Sequence, residues 1–120
     1  VAACAIPRFL DLGIDAYLVS ASLSAVLAQR LVRTVHDACH GTGCAVCLGT
    51  GFRGRTGIFE LIVVDEAMRE QIAANASLAT IRSLARTAGV RTLIDEGARL
   101  IAAQRTTREE VDRVISGVGA

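Results

Sequence analysis

The sequence predicts an α+β chain, mostly helical, built around a compact metal-binding loop. Three observations carry this. Apolar residues recur at helical spacing through much of the chain, with capping residues and glycines at the element ends. One β-branched run, Ile58–Val64, reads as a strand. Residues 36–57, HDACHGTGCAVCLGTGFRGRTG, gather three of the four cysteines, both histidines and six of the eleven glycines.

Ile6, Phe9, Leu10 and Leu12 predict a short first helix, with Pro7 in its first turn and Gly13 as its stop. Leu23, Val26, Leu27 and Leu31 repeat at helical spacing and predict an amphipathic helix over residues 20–33, with a short strand at Val32–Val35. The glycine-rich loop fills 36–57. The Ile58–Val64 strand leads into a helix from Asp65 to Ala74. Ser77 is a candidate N-cap for a helix to Ala88, closed by Gly89. A further helix spans Thr92–Gln104, and Thr107 with Glu110 fits a capping box for the last helix, Arg108–Ser116. The tail GVGA is expected to fray.

A chain of 120 residues is one compact domain at most. Its apolar share is 52% but its aromatic share only 3%, so Ala, Val, Leu and Ile must build the core. The net charge of +1 supplies no field for nucleic acid and no polybasic membrane signal. The longest weakly polar stretch falls short of the ~18 apolar residues a membrane span needs, and no membrane insertion is expected. All 13 basic residues are arginine. Without lysine the chain cannot carry a phosphate-binding loop of the G-x-x-x-x-G-K-[ST] type. The run LIVVDE at 61–66 imitates the acid-ended strand of an ATPase. It reads instead as a buried strand, with Asp65 and Glu66 in the first turn of a helix, where carboxylates suit the helix dipole.

The loop contains a repeat. His36-Asp-Ala-Cys39-His-Gly-Thr-Gly43 is followed directly by Cys44-Ala-Val-Cys47-Leu-Gly-Thr-Gly51. Each half is a knuckle: two ligands separated by two residues fit one edge of a tetrahedron, and the glycines let the chain turn tightly around an ion. His36, Cys39, Cys44 and Cys47 form the candidate ligand set, with His40 as the alternative nitrogen donor. A closed set of nitrogen and sulfur donors favours zinc in a structural role, since no position is left open for a reacting water. Three thiolates leave such a site net negative, and Arg33, Arg53 and Arg55 lie near enough in sequence to offset it. Cys4, far from the cluster, is read as a small buried hydrophobe.

The run LAQRLVRT at 27–34, the two-ligand knuckle, the block CAVCLGTGFRGRTGIFEL at 44–61 and VDEAM after it resemble one family. So do AIPRFLDLGIDAYLVSASL upstream and LARTAGVRTLIDEGARLI and TTREEVDRV downstream. The chain resembles the C-terminal part of the type II secretion ATPase, the E protein, and its type IV pilus assembly relatives. Two departures stand out. The family separates two C-x-x-C pairs by a long stretch, shrunk here to HGTG, and His36 replaces the first cysteine.

The resemblance implies a cytoplasmic homo-hexamer, peripherally associated with the inner membrane through secretion or pilus platform proteins. It implies residues 1–35 as the end of a RecA-like motor domain, 36–57 as the metal-binding insertion and 58–120 as a strand with a small helical C-terminal domain. The motor's phosphate loop and catalytic acids would precede this segment, so ATP and magnesium belong to the complete protein and the chain alone is expected to be inactive. The abrupt start suggests a piece of a longer protein. The second arginine of the R-G-R-T-G block, Arg55, falls where the family places an arginine beside the adenine, and a guanidinium plane suits a purine face. Arg30 and Arg33 are read as structural. A stand-alone zinc-knuckle interaction module is the competing reading, and a redox C-x-x-C enzyme a third.

Overall fold

The computed structural model describes residues 2–116. A 3-10 turn at Ala2–Cys4 precedes α1 (Ala5–Asp11) and α2 (Ala16–Ser22). Strand β1 (Ala25–Val35) leads through the cysteine loop to β2 (Phe52–Val63), and four helices follow: α3 (Glu66–Ala73), α4 (Leu78–Thr87), α5 (Leu93–Ala102) and α6 (Arg108–Ile115). The α+β class of the sequence reading holds, with β1 and β2 paired as a two-stranded sheet. The expected fraying of the GVGA tail lies outside the described residues.

The chain divides into two compact units, one of residues up to 28 with 60–92, the other of 29–59 with those from 93 on. In the first, Ile6, Val19, Ile62, Val64, Met68, Ile72 and Ile81 form a continuous buried cluster. α2 is tied to α3 by Ser20, whose hydroxyl donates to the Arg69 carbonyl at 2.9 Å while the Arg69 guanidinium donates back to the Ser20 carbonyl. Glu60, buried from β2, accepts the Ala2 N–H at 2.7 Å, a charge-assisted bond at the start of the leading turn.

Ser77 and Thr107 cap helices as the sequence predicts, and Asp15 and Asp65 do so as well. Asp65 accepts the Met68 N–H at 2.8 Å and Ser77 the Thr80 N–H at 3.3 Å, each satisfying an orphan donor of a helix start. Asp65 is therefore the N-cap of α3, one position before the first turn in which the sequence reading put it, and Glu66 sits in that turn. The capping box at α6 is half made. Thr107 accepts the Glu110 N–H at 3.2 Å, but the Glu110 carboxylate turns away from Thr107. Cys4 is half-buried rather than buried, and its sulfur lies 3.5 Å from an Arg82 guanidinium nitrogen.

Residues 20–33 do not form one helix. α2 ends at Ser22, and β1 begins at Ala25. Val26, Ala28, Arg30 and Val32 are wholly or partly buried, while Leu27, Gln29, Leu31 and Arg33 are exposed. This period of two runs beneath the helical spacing of the leucines. Leu, Ala, Gln and Arg are good helix formers, and pairing with β2 overrides their local preference. β2 likewise starts at Phe52, inside the stretch read as loop. At one end of the ribbon Val64 donates to the Ser24 carbonyl, and at the other His36 donates to the Gly51 carbonyl. The first strand therefore advances 12 residues (36 − 24) while the second advances 13 (64 − 51). The extra residue is a β-bulge, and Gly54 at φ +79° supplies the conformation it needs.

In the second unit Val32, Ile58, Leu93, Leu100 and Val111 are buried. Gly97 lets α5 approach α6 closely, since a Cβ there would meet Val111 Cγ1 at 2.6 Å. Glu110 is the polar centre of this unit and is almost fully buried. It accepts the Arg33 N–H at 2.8 Å and the Arg33 guanidinium at 3.1 Å, and both Nε and Nη2 of Arg113 at 2.9 Å. Thr106 adds a bond to the Arg33 carbonyl at 2.9 Å and the Val35 N–H donates to the Arg105 carbonyl at 2.9 Å, so α6 and its approach hold β1 at two residues. The structural reading of Arg33 stands on these contacts. Arg30 donates to the carbonyl of its neighbour Gln29.

Candidate metal centre

The two knuckles repeat in space as they do in sequence. Cys39 and Cys47 are each followed by a residue in the left-handed region, His40 at φ 51° and Leu48 at φ 57°. Gly41 and Gly49 follow at φ 78° and 77°, then Gly43 and Gly51 at 99° and 78°. Three of the hydrogen bonds in each half have a counterpart in the other. Gly41 donates to the His36 carbonyl as Gly49 does to Cys44. The Thr42 hydroxyl donates to the Cys39 carbonyl at 2.6 Å, and that of Thr50 to the Cys47 carbonyl at 2.7 Å. Gly43 N–H reaches Cys39 Sγ at 3.3 Å, and Gly51 N–H reaches Cys47 Sγ at 3.3 Å. The halves are related as by a local two-fold axis, with Gly43 packed against Gly49 and Gly51 against Gly41.

This arrangement gathers four donor atoms. The ligand atoms of His36, Cys39, Cys44 and Cys47 all lie within 4.8 Å of one another. His36 Nδ1 is 3.5 Å from Cys39 Sγ and 3.4 Å from Cys44 Sγ. Cys47 Sγ is 3.9 Å from Cys39 Sγ and 3.7 Å from Cys44 Sγ. A tetrahedral zinc with Zn–S near 2.3 Å and Zn–N near 2.0 Å has S···S edges of about 3.8 Å and N···S edges of about 3.5 Å. The donor set fits that ion, and the sulfur separations are far from the ~2.05 Å of a disulfide. All four cysteines of the chain are free thiols.

The local field favours thiolate. Burial alone would push the Cys47 thiol up, but the N–H groups of Cys44 and Gly51, with the His36 and Cys44 side chains, outweigh it and lower the pKa to about 5. These backbone donors do what the sequence reading gave to arginines. Among the described residues no guanidinium hydrogen-bonds a sulfur of the cluster; Arg33 is held by Glu110 and stacks 4.2 Å above the Phe52 ring. His40 is exposed and lies apart from the cluster, lining a separate cleft with Val35, Asp37, Gln104 and Thr106. The sequence reading missed Thr42 and Thr50 as knuckle braces, although the repeated G-T-G was their signal. It also missed Glu110 as the anchor of Arg33, since a pairing across more than seventy positions leaves no local trace.

Arg55 lies away from the four donors. It is exposed and lines an open cleft of about 390 Å³ with Arg33, Thr50, Phe52, Gly54 and Arg113.

Among the described residues no helix is long and apolar enough to cross a membrane. The family model described as "Type II/IV secretion system protein" matches residues 1–113. The type II secretion system protein HxcR of Pseudomonas aeruginosa is 39% identical over 94% of this chain and 26% of its own length. The type IV pilus assembly ATPase PilB of Thermus thermophilus is 36% identical over 92% of this chain and 15% of its own length. The type II secretion system ATPase E of Vibrio cholerae is 36% identical over 92% of this chain and 27% of its own length. The chain thus spans about a quarter or less of these relatives. With a match that runs through both strands, the cysteine loop and the helices on either side, the chain belongs to the type II/IV secretion system protein family.

Proposed function

We propose that this chain is the C-terminal part of a secretion or pilus assembly ATPase, and that its cysteine loop is a structural zinc staple. The family match over residues 1–113 carries the first statement, and the four donors at tetrahedral spacing carry the second. In this reading the complete protein is a cytoplasmic homo-hexamer on the inner-membrane platform of a type II secretion or type IV pilus system. Its RecA-like motor binds ATP and magnesium, and the segment up to residue 35 is the end of that motor. Residues 36–57 form the metal-binding insertion, and 58–120 contribute a strand and the small helical domain. Zinc bound by His36, Cys39, Cys44 and Cys47 would cross-link the loop and leave no site for chemistry. In this reading Arg55, which is exposed and has no protein partner among the described residues, stacks on the adenine of a bound nucleotide.

The test uses the complete protein purified without added metal. Elemental analysis should find about one zinc per chain, and the protein should hydrolyse ATP. Replacing Cys39 and Cys47 by Ser should remove the zinc and lower the melting temperature. A wild-type protein that is folded, active and free of metal would overturn the staple. A metal-loaded protein without affinity for nucleotide would overturn the motor assignment.

A further inference from the structure

The two knuckles share a backbone, yet they do not shield their sulfurs equally. Cys39 Sγ accepts one N–H, from Gly43 at 3.3 Å. Cys47 Sγ accepts two, from Gly51 at 3.3 Å and Cys44 at 3.2 Å, and is buried. Cys44 Sγ accepts none among the described residues. Its neighbours are His36 Nδ1 at 3.4 Å and Cys47 Sγ at 3.7 Å, which are edges of the donor tetrahedron rather than shielding bonds. Cys44 is only half-buried, and Ala45 and Val46 beside it are exposed. The asymmetry has a simple origin. In the first knuckle the position equivalent to Cys44 is His36, whose N–H is taken by the Gly51 carbonyl of the β-ribbon. The Cys44 N–H has no such strand partner and turns to Cys47 instead.

A hydrogen bond to a metal-bound thiolate withdraws charge from sulfur and weakens it as a nucleophile. We propose that Cys44 is the reactive thiolate of this loop, a modification site for peroxides and soft electrophiles through which zinc is released. The proposal rests on the zinc staple. With hydrogen peroxide as oxidant, the Cys44 thiolate attacks the O–O bond. An S–O bond forms, and the departing hydroxide is protonated to water. The Cys47 thiolate, 3.7 Å away, then attacks the sulfenic sulfur. The S–S bond forms, the second hydroxide leaves and is protonated to water, and the ion loses two ligands at once. A thiol reductant restores both thiolates and allows zinc to rebind. The exposed face of the loop gives the oxidant access without unfolding either unit.

The experiment takes the complete zinc-loaded protein in a Cys4→Ser background, with zinc content measured first. It is treated with substoichiometric N-ethylmaleimide, and separately with hydrogen peroxide, while a chromogenic chelator follows zinc release and mass spectrometry locates the modification. Cys44 should be alkylated at least about tenfold faster than Cys39 or Cys47, the effect of one missing charge-assisted bond. Zinc should leave in step with that alkylation, and peroxide should give the Cys44–Cys47 disulfide first. Preferential alkylation of Cys39 or Cys47 in a zinc-loaded protein, or a first disulfide between Cys39 and Cys47, overturns the proposal while sparing the staple. A protein that holds no zinc at the outset overturns both.

Discussion

Gly51 lies backbone to backbone against Gly41, so close that a Cβ on Gly51 would collide with the Gly41 carbonyl oxygen. The mirror contact places a Cβ on Gly43 only 2.7 Å from the Gly49 carbonyl oxygen. Both contacts are backbone on backbone, which no rotamer change relieves. Gly51→Ala and Gly43→Ala should each cost well above the ~1 kcal/mol of a left-handed alanine alone. Gly49→Ala meets nothing within 4 Å and should cost only that strain. Thermal melts of the three variants, with and without zinc, check the ranking; equal effects at Gly49 and Gly51 would contradict it.

Glu110 makes the second unit sensitive to acid. The Arg113 guanidinium, the first of its hydrogen-bonding partners, outweighs burial and, with Arg33, lowers the carboxyl from 4.5 to about 2. A depressed folded pKa means that the stabilisation is present above the unfolded pKa and is lost as pH falls through the folded one. Stability should therefore decline between pH 4.5 and about 2. Both arginines are partly exposed, with side-chain exposures of 44% and 60%, so screening trims the effect to roughly 2 kcal/mol. Glu110→Gln should be less stable at neutral pH and should flatten that part of the acid profile. Denaturant unfolding across the pH range reads both.

Gly97 is a packing glycine. Its missing Cβ would meet Val111 Cγ1 at 2.6 Å inside a helix pair. Gly97→Ala gains helix propensity, worth about 1 kcal/mol, but overpacks the interface at about 1–3 kcal/mol. The net effect should be destabilising in the wild-type background and stabilising once Val111→Ala opens the space. A double-mutant cycle measured by urea unfolding gives the coupling directly.

Arg55→Ala should leave the melting temperature unchanged, because no described side chain bonds its guanidinium, and should weaken nucleotide binding in the complete protein. A stacked cation on an aromatic face is worth about 0.5–2 kcal/mol, a loss of roughly 2- to 30-fold in affinity. Titration with a fluorescent ATP analogue checks it. Arg33→Ala, by contrast, should lower stability, since that arginine holds Glu110 and covers Phe52.

Local signals told the truth where local physics decides. Ser77 and Thr107 cap helices because a short polar side chain answers the nearest orphan N–H, and the sequence shows it. The knuckle repeat was legible for the same reason: ligand spacing and glycine placement are set within eight residues. The sequence shows only the Val32–Val35 end of β1; the rest reads as helix because its strand state comes from pairing with β2, while its leucines fall at helical intervals on the exposed side. The Gly54 bulge, the Glu110–Arg33 bond and the unequal shielding of the sulfurs all depend on segments brought together by folding. None has a sequence period to announce it. What the sequence left open between His36 and His40, the backbone decides: the left-handed turn at His40 leaves its ring outside the cluster, and His36 stands at the end of β1 facing the sulfurs.

The central claim is that one nitrogen and three sulfurs hold zinc in this loop. X-ray absorption at the zinc edge of the purified protein tests it most directly. The predicted first shell is three sulfurs at about 2.3 Å and one nitrogen at about 2.0 Å, with the imidazole's outer-shell scattering present in the wild type and lost in His36→Cys. A shell of oxygen and nitrogen donors, or four sulfurs in the wild type, would contradict the site described.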